Sequence, residues 1–321
     1  MRAAVIALFA ACTTWAQFRT TVPLIVAPTT VTDAKGHRVE GLSASDLLLF
    51  DNNVPQPIQV DYDPYPISLV VAVQSAANAE NILGKLDRIG IMLSQLIAAY
   101  GGETALLSFD NSVQLRQDFT TDSDKLTNTL KKLRSGGDGA SALDAISEAL
   151  RMLGTRKPER RRIILMVAEK RDRSSNAKLV DVIEQVQRQN ATIYWLTFSP
   201  FLTTYTNRQY SAHGTPKEGP PEPRETPPMD LLAPFIELAH LSAPNISQLL
   251  PQATGGKALN FLTRGALESE IQAIGEDVHG QYIVTFQPKA ADPGQFHAIR
   301  VEIRDRPELV AKTRAGYWSV Q

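Results

Sequence analysis

The chain has 321 residues, of which 43% are hydrophobic and 21% charged, and these proportions are typical of a globular protein with one large or two modest domains. Its 33 basic and 34 acidic residues leave a formal net charge of -1. A protein that neutralises phosphates normally carries a basic excess, so we expect neither nucleic acid nor anionic lipid as its partner.

The first 16 residues have the pattern of an export signal. An apolar run over residues 3–11 is too short to span a bilayer, and Ala16 supplies a small residue at a cleavage position. We therefore expect residues 1–16 to be a signal peptide and the protein to be exported, either periplasmic or secreted. In an alternative interpretation, Cys12 carries a lipid and anchors the protein as a lipoprotein. No later stretch has the length and apolar character of a transmembrane helix.

Both ends of the mature chain have the alternation typical of short β-strands, the first over residues 17–62 and the second over 280–321. Neither end is large enough to bury a core alone. We therefore predict that the two ends pair as one small β-sandwich. Its predicted strands are Val22–Thr32, Asp46–Phe50, Ile58–Val60, Gln281–Pro288, Phe296–Arg304 and Leu309–Thr313.

Residues 63–279 alternate between strand and helix patterns, which predicts an α/β domain with a doubly wound, mostly parallel sheet. The apolar run Ile67–Val73 indicates a strand buried on both faces. Residues 211–228 are rich in proline and predict a mobile loop. Other predicted strands are Thr104–Phe109, Ser112–Gln117, Arg162–Ala168, Thr192–Phe198 and Lys257–Phe261. Predicted helices are Ala79–Tyr100, Ser123–Leu133, Ser141–Leu153, Ser175–Asn190, Met229–Leu241, Asn245–Ala253 and Glu268–Val278.

Familiar catalytic motifs are absent from the sequence. There is no Gly-x-Ser-x-Gly elbow, no His-Glu-x-x-His and no phosphate-binding Gly-x-x-x-x-Gly-Lys-Ser/Thr, and the five histidines are scattered. The densest basic run, Arg156–Arg162, lies between a predicted helix and a predicted strand, so we expect it to be a solvated connection.

The segment Gly139–Ala145 (GASALDA) resembles the Gly-Gly-Thr-Ala-Leu-x-x-Ala turn that opens a helix in the von Willebrand factor A (vWA) family. Val31–Ile58 and the terminal segments GQYIVTFQP, FHAIRVEIR and RAGYW resemble the secreted bacterial VWFA-related proteins of the acidobacterial type. The resemblance covers nearly the whole mature chain and implies a vWA-like domain over residues 63–279.

The resemblance also implies a position for the metal-ion-dependent adhesion site of that family. In the family, an Asp-x-Ser-x-Ser loop, a Thr and a second Asp hold Mg²⁺ and leave one position for an acidic group of the partner. Aligned on this pattern, Ala72 replaces the first Asp, Gln74 and Ala76 replace the two Ser, Ser141 replaces the Thr, and Ala168 replaces the second Asp. Because both carboxylates are lost, we expect a degenerate site with no divalent metal and no cofactor.

Acidic residues on neighbouring predicted loops leave an alternative open, because Asp110, Asp138 and Glu169 are possible replacement ligands. A solvated charged loop is the simpler interpretation of Glu169, Arg171 and Asp172, and a helix N-cap is the simpler interpretation of Ser141.

We therefore expect a non-enzymatic, exported module that binds or scaffolds a protein or peptide partner. In a doubly wound sheet the binding site lies outside the carboxyl ends of the strands. The alternative is a hydrolase with a site built from Asp110, Ser141 and Glu169. The residues expected to face the partner are Gln74, Ser75, Asn78, Asp138, Ser141, Glu169 and Arg171.

Overall fold

The computed structural model describes residues 24–61, 65–84, 101–198, 245–288 and 294–319, together with residues 86, 90, 92 and 93. The strands are β1 Ile25–Thr32, β2 Leu47–Asp51, β3 Val54–Gln56, β4 Gln59–Asp61, β5 Ile67–Gln74, β6 Glu103–Phe109, β7 Val113–Thr120, β8 Arg161–Ala168, β9 Ala191–Thr197, β10 Ala258–Asn260, β11 Tyr282–Phe286, β12 Phe296–Ile303, β13 Val310–Lys312 and β14 Gly316–Trp318. The helices are α1 Glu80–Leu83, α2 Ser123–Lys131, α3 Ala142–Gly154, α4 Leu179–Arg188, α5 Ile246–Thr254 and α6 Arg264–His279.

The central sheet has the strand order β7-β6-β5-β8-β9-β10. All its neighbouring strands run parallel except β6 and β7, which are antiparallel. Counted from the start of the domain, this is the order 3-2-1-4-5-6 of a doubly wound sheet. The chain leaves β5 and β8 in opposite directions, so the crevice between their carboxyl ends is the topological switch point, where such sheets bind ligands.

Helices cover both faces of the central sheet, as the apolar composition of β5 requires. One face packs against apolar side chains such as Leu126 of α2 and Ile271 of α6. The other face packs against Ile146 of α3, Val182 of α4 and Leu250 of α5. The predicted α/β fold with a mostly parallel sheet is therefore confirmed.

The two ends of the chain form two four-stranded antiparallel sheets, β13-β1-β11-β4 and β14-β12-β2-β3. Each sheet combines strands from both ends, because β1 pairs with β11 and β2 pairs with β12. The inner faces share one apolar core that includes Ala27, Leu49, Val284 and Ile299. The predicted β-sandwich of N- and C-terminal segments is confirmed.

Buried polar groups join the sandwich to the α/β domain. The Asp277 carboxylate in α6 accepts hydrogen bonds from Thr30 Oγ1 of β1 at 3.2 Å and from Tyr194 Oη of β9 at 2.7 Å. Arg314, next to β14, donates to the carbonyl and the side-chain oxygen of Gln187 in α4 at 2.8 and 2.6 Å. Burial lowers the pKa of Arg314 to about 9. These buried hydrogen bonds hold the two units in one arrangement.

The basic run Arg156–Arg162 is solvated only in its middle, at residues 157–159, whereas its arginines are half-buried. Arg156 forms a bidentate pair with Glu103 at 2.7 and 2.6 Å, and Arg160 lies 3.2 Å from the same carboxylate. Burial acts to raise the pKa of Glu103, but the hydrogen bonds from Arg156 and Ser68 and the charge of Arg160 outweigh it and leave this pKa below its ordinary value. The arginines therefore fix the amino-terminal edge of the sheet.

Three further differences from the predicted elements have local causes. Helix α4 begins at Leu179 instead of Ser175, because the residues before it cap α3. Helix α6 begins at Arg264, one turn earlier than predicted, because Thr263 caps it. Strands β3 and β14 were not predicted, since three residues give too short a pattern. The predicted signal peptide, the loop 211–228 and the helix 229–241 lie outside the described residues. Among the described helices, none is long and apolar enough to cross a bilayer.

Candidate functional site

The switch point lies where β5 and β8 end, and β5 ends later than the sequence pattern indicated. Its hydrogen-bonded register continues to Gln74, which pairs with Phe109 of β6, and on the other side Val73 pairs with Val167 of β8. Ala72 lies two residues before the end of β5 and is fully buried in the core. The residue at the mouth of the crevice is therefore Gln74 instead of Ala72. The apolar run stops at Val73, but a polar residue can finish a buried strand when its side chain is satisfied.

Gln74 and Glu169 close the crevice with two reciprocal hydrogen bonds. The Gln74 Nε2 donates to Glu169 Oε1 at 3.0 Å, and Gln74 Oε1 accepts the backbone N–H of Glu169 at 2.9 Å. The Gln74 side chain is fully buried. These two bonds, here named the Gln74–Glu169 clamp, tie the end of β5 to the residue that follows β8.

Glu169 has further partners that fix its position. Arg173 Nη2 lies 3.0 Å from Glu169 Oε1, and the side chain of Glu169 is only 13% exposed. The indole Nε1 of the buried Trp195 donates to the backbone carbonyl of Glu169 at 3.2 Å. Glu169 is thus a partly buried, paired carboxylate, and its interpretation as part of a solvated loop was wrong.

Asp110, after β6, organises the loop that precedes α3. Its carboxylate accepts the backbone N–H of Gly137 at 2.8 Å and that of Ser112 at 3.0 Å, and its carbonyl accepts the N–H of Ser141 at 2.9 Å. Burial acts to raise the pKa of Asp110, but these hydrogen bonds outweigh it and lower the pKa below its ordinary value. A Cβ atom at Gly139 would fall on the Asn111 side chain, so a larger residue here would force that side chain to move.

Helix α3 is capped by Asp172 instead of Ser141. Ser141 stands at the N-cap position, as predicted, but its side chain makes no capping bond, because its Oγ pairs with Ser174 Oγ at 3.0 Å. Asp172 Oδ1 instead accepts the backbone N–H groups of Ala142 and Leu143 at 2.8 and 3.2 Å. A carboxylate at this end of a helix is favoured both by the unpaired N–H groups and by the helix dipole.

The loop after β8 is in turn held by the first turn of α3. The Asp144 carboxylate accepts the backbone N–H of Asn176 at 3.0 Å and of Ala177 at 2.8 Å, and Ser175 Oγ accepts the Asp144 N–H at 3.0 Å. Asp172 also accepts from Ser175 Oγ at 2.6 Å. Asp172 and Asp144 therefore serve the backbone, and the solvated-loop interpretation of Asp172 was wrong.

The structure places the predicted partner-facing residues at different depths, with Glu169 partly buried. Gln74, Ser75 and Ser141 are buried, and Ser75 is held by its backbone N–H to the Phe109 carbonyl at 2.8 Å. Asp138 and Arg171 are exposed. Asn78 lies in the 3-10 turn Ala77–Ala79, and its side chain is not among the described ones.

Sequence reasoning missed the structural roles of Asp172, Ser174 and Asp144. A signal for part of this exists, since Asp172 and the Ser-Ser pair that follows it after one residue are residue types that cap helices. Their target, a helix some 30 positions earlier in the chain, could not be read from the sequence.

The residues present at the strand ends do not fit a hard divalent cation. In the described part of the chain, no group of three or more His, Cys, Asp and Glu side chains could hold a metal ion. Several groups at the switch point are already engaged: Gln74 Oε1 accepts the Glu169 N–H, Asp110 accepts backbone N–H groups, and Ser75 Oγ donates to the Phe109 carbonyl. Mg²⁺ requires an octahedral set of oxygens and gives up its waters reluctantly.

The hydrolase alternative finds little support in the geometry of its proposed residues. Ser141 Oγ is buried and shares its hydrogen bond with another hydroxyl, Ser174, which is not a base. The Asp110 carboxylate accepts from Ser112 and Gly137, and its lowered pKa makes it a weak base.

Comparisons with known proteins give similarities of fold. No family model and no curated protein matches the chain. Solved structures similar to it include the vWF domain of the type V pili tip protein Mfa5 from Porphyromonas gingivalis, at 16% identity and a TM-score of 0.31. That match covers 34% of this chain and 40% of the Mfa5 domain chain.

Two other structures are similar to this chain over a larger share of their own length. The SpRpn10 VWA domain has 16% identity and a TM-score of 0.36, with 41% of this chain and 75% of that one covered. The conserved hypothetical protein BatB from Bacteroides thetaiotaomicron has 13% identity and a TM-score of 0.42, with 65% and 99% covered. Structures of vWA domains are thus among those to which the chain is similar.

Proposed function

We propose that this chain is an exported, non-enzymatic vWA-type module that binds a protein or peptide partner through the carboxyl-end face of its central sheet, without a divalent cation. The Gln74–Glu169 clamp is the observation that carries this proposal. At the switch point, where a ligand is expected, an amide and a carboxylate satisfy each other.

The order of the strands and the sequence motif together support the vWA assignment. The central sheet is parallel except for its antiparallel edge strand β7, and its strand order is 3-2-1-4-5-6. This order places the loop after β5 at the switch point. Gly139–Ala145, the segment that resembles the family motif, includes the N-cap and first turn of α3. The motif is thus at the mouth of the crevice.

The position of Gln74 changes which residues replace the metal ligands of the family. If the Asp-x-Ser-x-Ser loop begins at the last residue of β5, then Gln74 replaces the Asp, and Ala76 and Asn78 replace the two Ser. Ala168, the last residue of β8, stands opposite and carries no oxygen in its side chain. In this register Gln74 takes the place of the first carboxylate, and the carboxylate nearest to the second position is that of Glu169, which follows Ala168 and bonds to Gln74.

The exposed charged residues around the clamp form the contact surface in this proposal. Asp138, Lys170 and Arg171 are exposed, and Arg173 is 45% exposed while it pairs with Glu169. These side chains stand on loops whose backbone N–H and hydroxyl groups donate hydrogen bonds to Asp110, Asp172 and Asp144. Fixed loops that carry opposite charges favour direct polar contact with a partner and reduce the entropy lost on binding.

Site-specific photo-crosslinking tests this surface directly. A photo-reactive residue is placed at Arg171, and a matched control is placed at Lys157, an exposed residue before β8 at the opposite edge of the sheet. Both proteins are expressed in the native envelope, and crosslinking is run with and without EDTA. We expect a defined adduct from the Arg171 position in both conditions and none from Lys157.

Other outcomes would redirect or reject the proposal. An adduct from Arg171 that EDTA abolishes would mean that a divalent cation takes part. An adduct from Lys157 alone would move the binding surface to the other edge of the sheet.

A further inference from the structure

A second candidate site lies at the opposite end of the central sheet, where the sandwich meets the α/β domain. A cavity of about 530 Å³ opens there between β1, the start of β8 and the residues after α4. Its volume lies in the range of cavities that hold small molecules, which often form between domains. The cavity is distant in the fold from the carboxyl-end face, because β8 begins beside the cavity at Arg161 and ends at that face at Ala168.

The wall formed by the α/β domain is rich in cations. Four arginines, namely Arg160, Arg161, Arg162 and Arg188, line the cavity together with a single acidic residue, the exposed Glu159. A concave surface with this excess of positive charge concentrates anions.

Three of these arginines already have partners within the protein. Arg160 pairs with Glu103, and Arg188 Nε donates to Glu184 at 2.8 Å. Arg161 donates to the Val278 carbonyl and to Gln281 Oε1.

Arg162 is different from the other three. Its Nη1 donates to the Gln189 carbonyl at 3.0 Å, but its Nε is buried and has no hydrogen-bond partner among the described residues. It also forms no ion pair with any described carboxylate. A half-buried guanidinium with an unsatisfied N–H and no counter-ion carries a desolvation cost, which an oxyanion beside it would offset.

Other polar and apolar groups complete the cavity. Asn190, next to Gln189, lines it and has a buried side-chain oxygen with no partner among the described residues. On the side formed by β1, Leu24, Val26 and Pro28 present an apolar surface, and Leu24 is 48% exposed. An exposed leucine and a guanidinium that lacks a carboxylate partner, both lining one cavity, indicate a ligand with an apolar and an anionic part.

We infer that this cavity binds a small amphipathic anion, whose acidic group accepts a hydrogen bond from Arg162 and whose apolar body lies against Leu24 and Val26. A carboxylate and a phosphate monoester both offer the required oxygens.

Titration calorimetry on the full chain tests this inference with four probes of equal chain length: octanoate, octyl phosphate, octanol and octylammonium, all below micelle formation. We expect saturable one-to-one binding of octanoate or octyl phosphate, at least about 10-fold tighter than that of octanol or octylammonium. The tighter of the two anions identifies the acidic group as a carboxylate or a phosphate.

Two variants separate the two halves of the site. Arg162→Gln removes the cation, and Leu24→Asp adds a like charge on the apolar wall at a half-exposed position that contributes little to folding. Each variant should weaken binding of the preferred anion at least about 10-fold. The control, Arg151→Gln, replaces an exposed arginine of α3 outside the cavity and should change the affinity less than about 2-fold. No saturable binding of either anion would overturn the inference, as would binding that neither Arg162→Gln nor Leu24→Asp weakens.

Discussion

Replacing Gln74 with glutamate tests the Gln74–Glu169 clamp, because the two side chains have the same shape. In the variant, the backbone N–H of Glu169 still has an acceptor at position 74. However, the Nε2 of Gln74, which donates to Glu169 Oε1 at 3.0 Å, is replaced by a carboxylate oxygen that faces the carboxylate of Glu169. At an effective dielectric constant near 20, two unit charges at that distance repel by about 5 kcal/mol. The variant can avoid this by taking up a proton, which costs about 3.7 kcal/mol at pH 7 for a glutamate with an ordinary pKa of about 4.3.

We therefore expect Gln74→Glu to lower the free energy of unfolding by about 3.7 kcal/mol at pH 7, the smaller of the two costs, measured by urea denaturation. The pKa of the carboxyl pair is raised in the folded state relative to the unfolded state. The deficit should therefore be nearly absent below about pH 4.3 and should grow as the pH rises. Because two adjacent carboxylates offer hard oxygen ligands, millimolar Mg²⁺ should stabilise this variant and leave the unchanged chain unaffected.

The matched control exchanges the two side chains by combining Gln74→Glu with Glu169→Gln. One amide and one carboxylate then face each other again, and most of the lost stability should return, apart from the partly exposed pair between Glu169 and Arg173. A change of less than about 0.5 kcal/mol for Gln74→Glu alone at pH 7 would refute the clamp.

Three further outcomes follow from the same contacts. Asp172→Ala removes the cap of α3 and should lower the free energy of unfolding by about 1–2 kcal/mol in a urea titration. The control is Asp181→Ala, which replaces an exposed acid in the first turn of α4. It should change the free energy of unfolding by less than about 0.5 kcal/mol. Hydrogen bonds lower the pKa of Asp110 below 3.8, so its carboxylate contributes stability that is lost as the pH falls below that value. In acid unfolding curves, Asp110→Asn should therefore lose less stability over this pH range than the unchanged chain does. Deleting residues 281–321 removes the partners of β1 and β2, so the chain should aggregate or bind a hydrophobic dye; an unchanged melting midpoint would contradict the shared sandwich.

Most of the fold could be predicted because its signals are local. The apolar run that became β5 and the alternation of strands and helices predicted a doubly wound sheet, and the small size of each terminal β unit predicted their pairing. The errors at element ends also have local causes. Residues 175–178 have a helical pattern, yet Ser175 instead bonds to Asp172 and Asp144.

The site was less predictable because its contacts join distant parts of the chain. Gln74 follows an apolar run and resembles the first residue of a loop, and only its pairing with Glu169, 95 positions later, shows why it is buried. The same limitation explains the basic run: Arg156 and Arg160 were interpreted as solvated because Glu103, their common partner, lies more than 50 residues earlier. Composition and spacing do not show such partners.

Calorimetric titration of Mg²⁺ and Mn²⁺ into the full chain most directly tests the claim that the carboxyl-end face works without a divalent cation. We expect no saturable heat at millimolar concentrations, because Ala168 and a fully engaged Gln74 stand where the strands end. A stoichiometric heat that EDTA reverses, accompanied by a higher melting temperature, would contradict the claim and would identify Asp110, Asp138 or Glu169 as ligands.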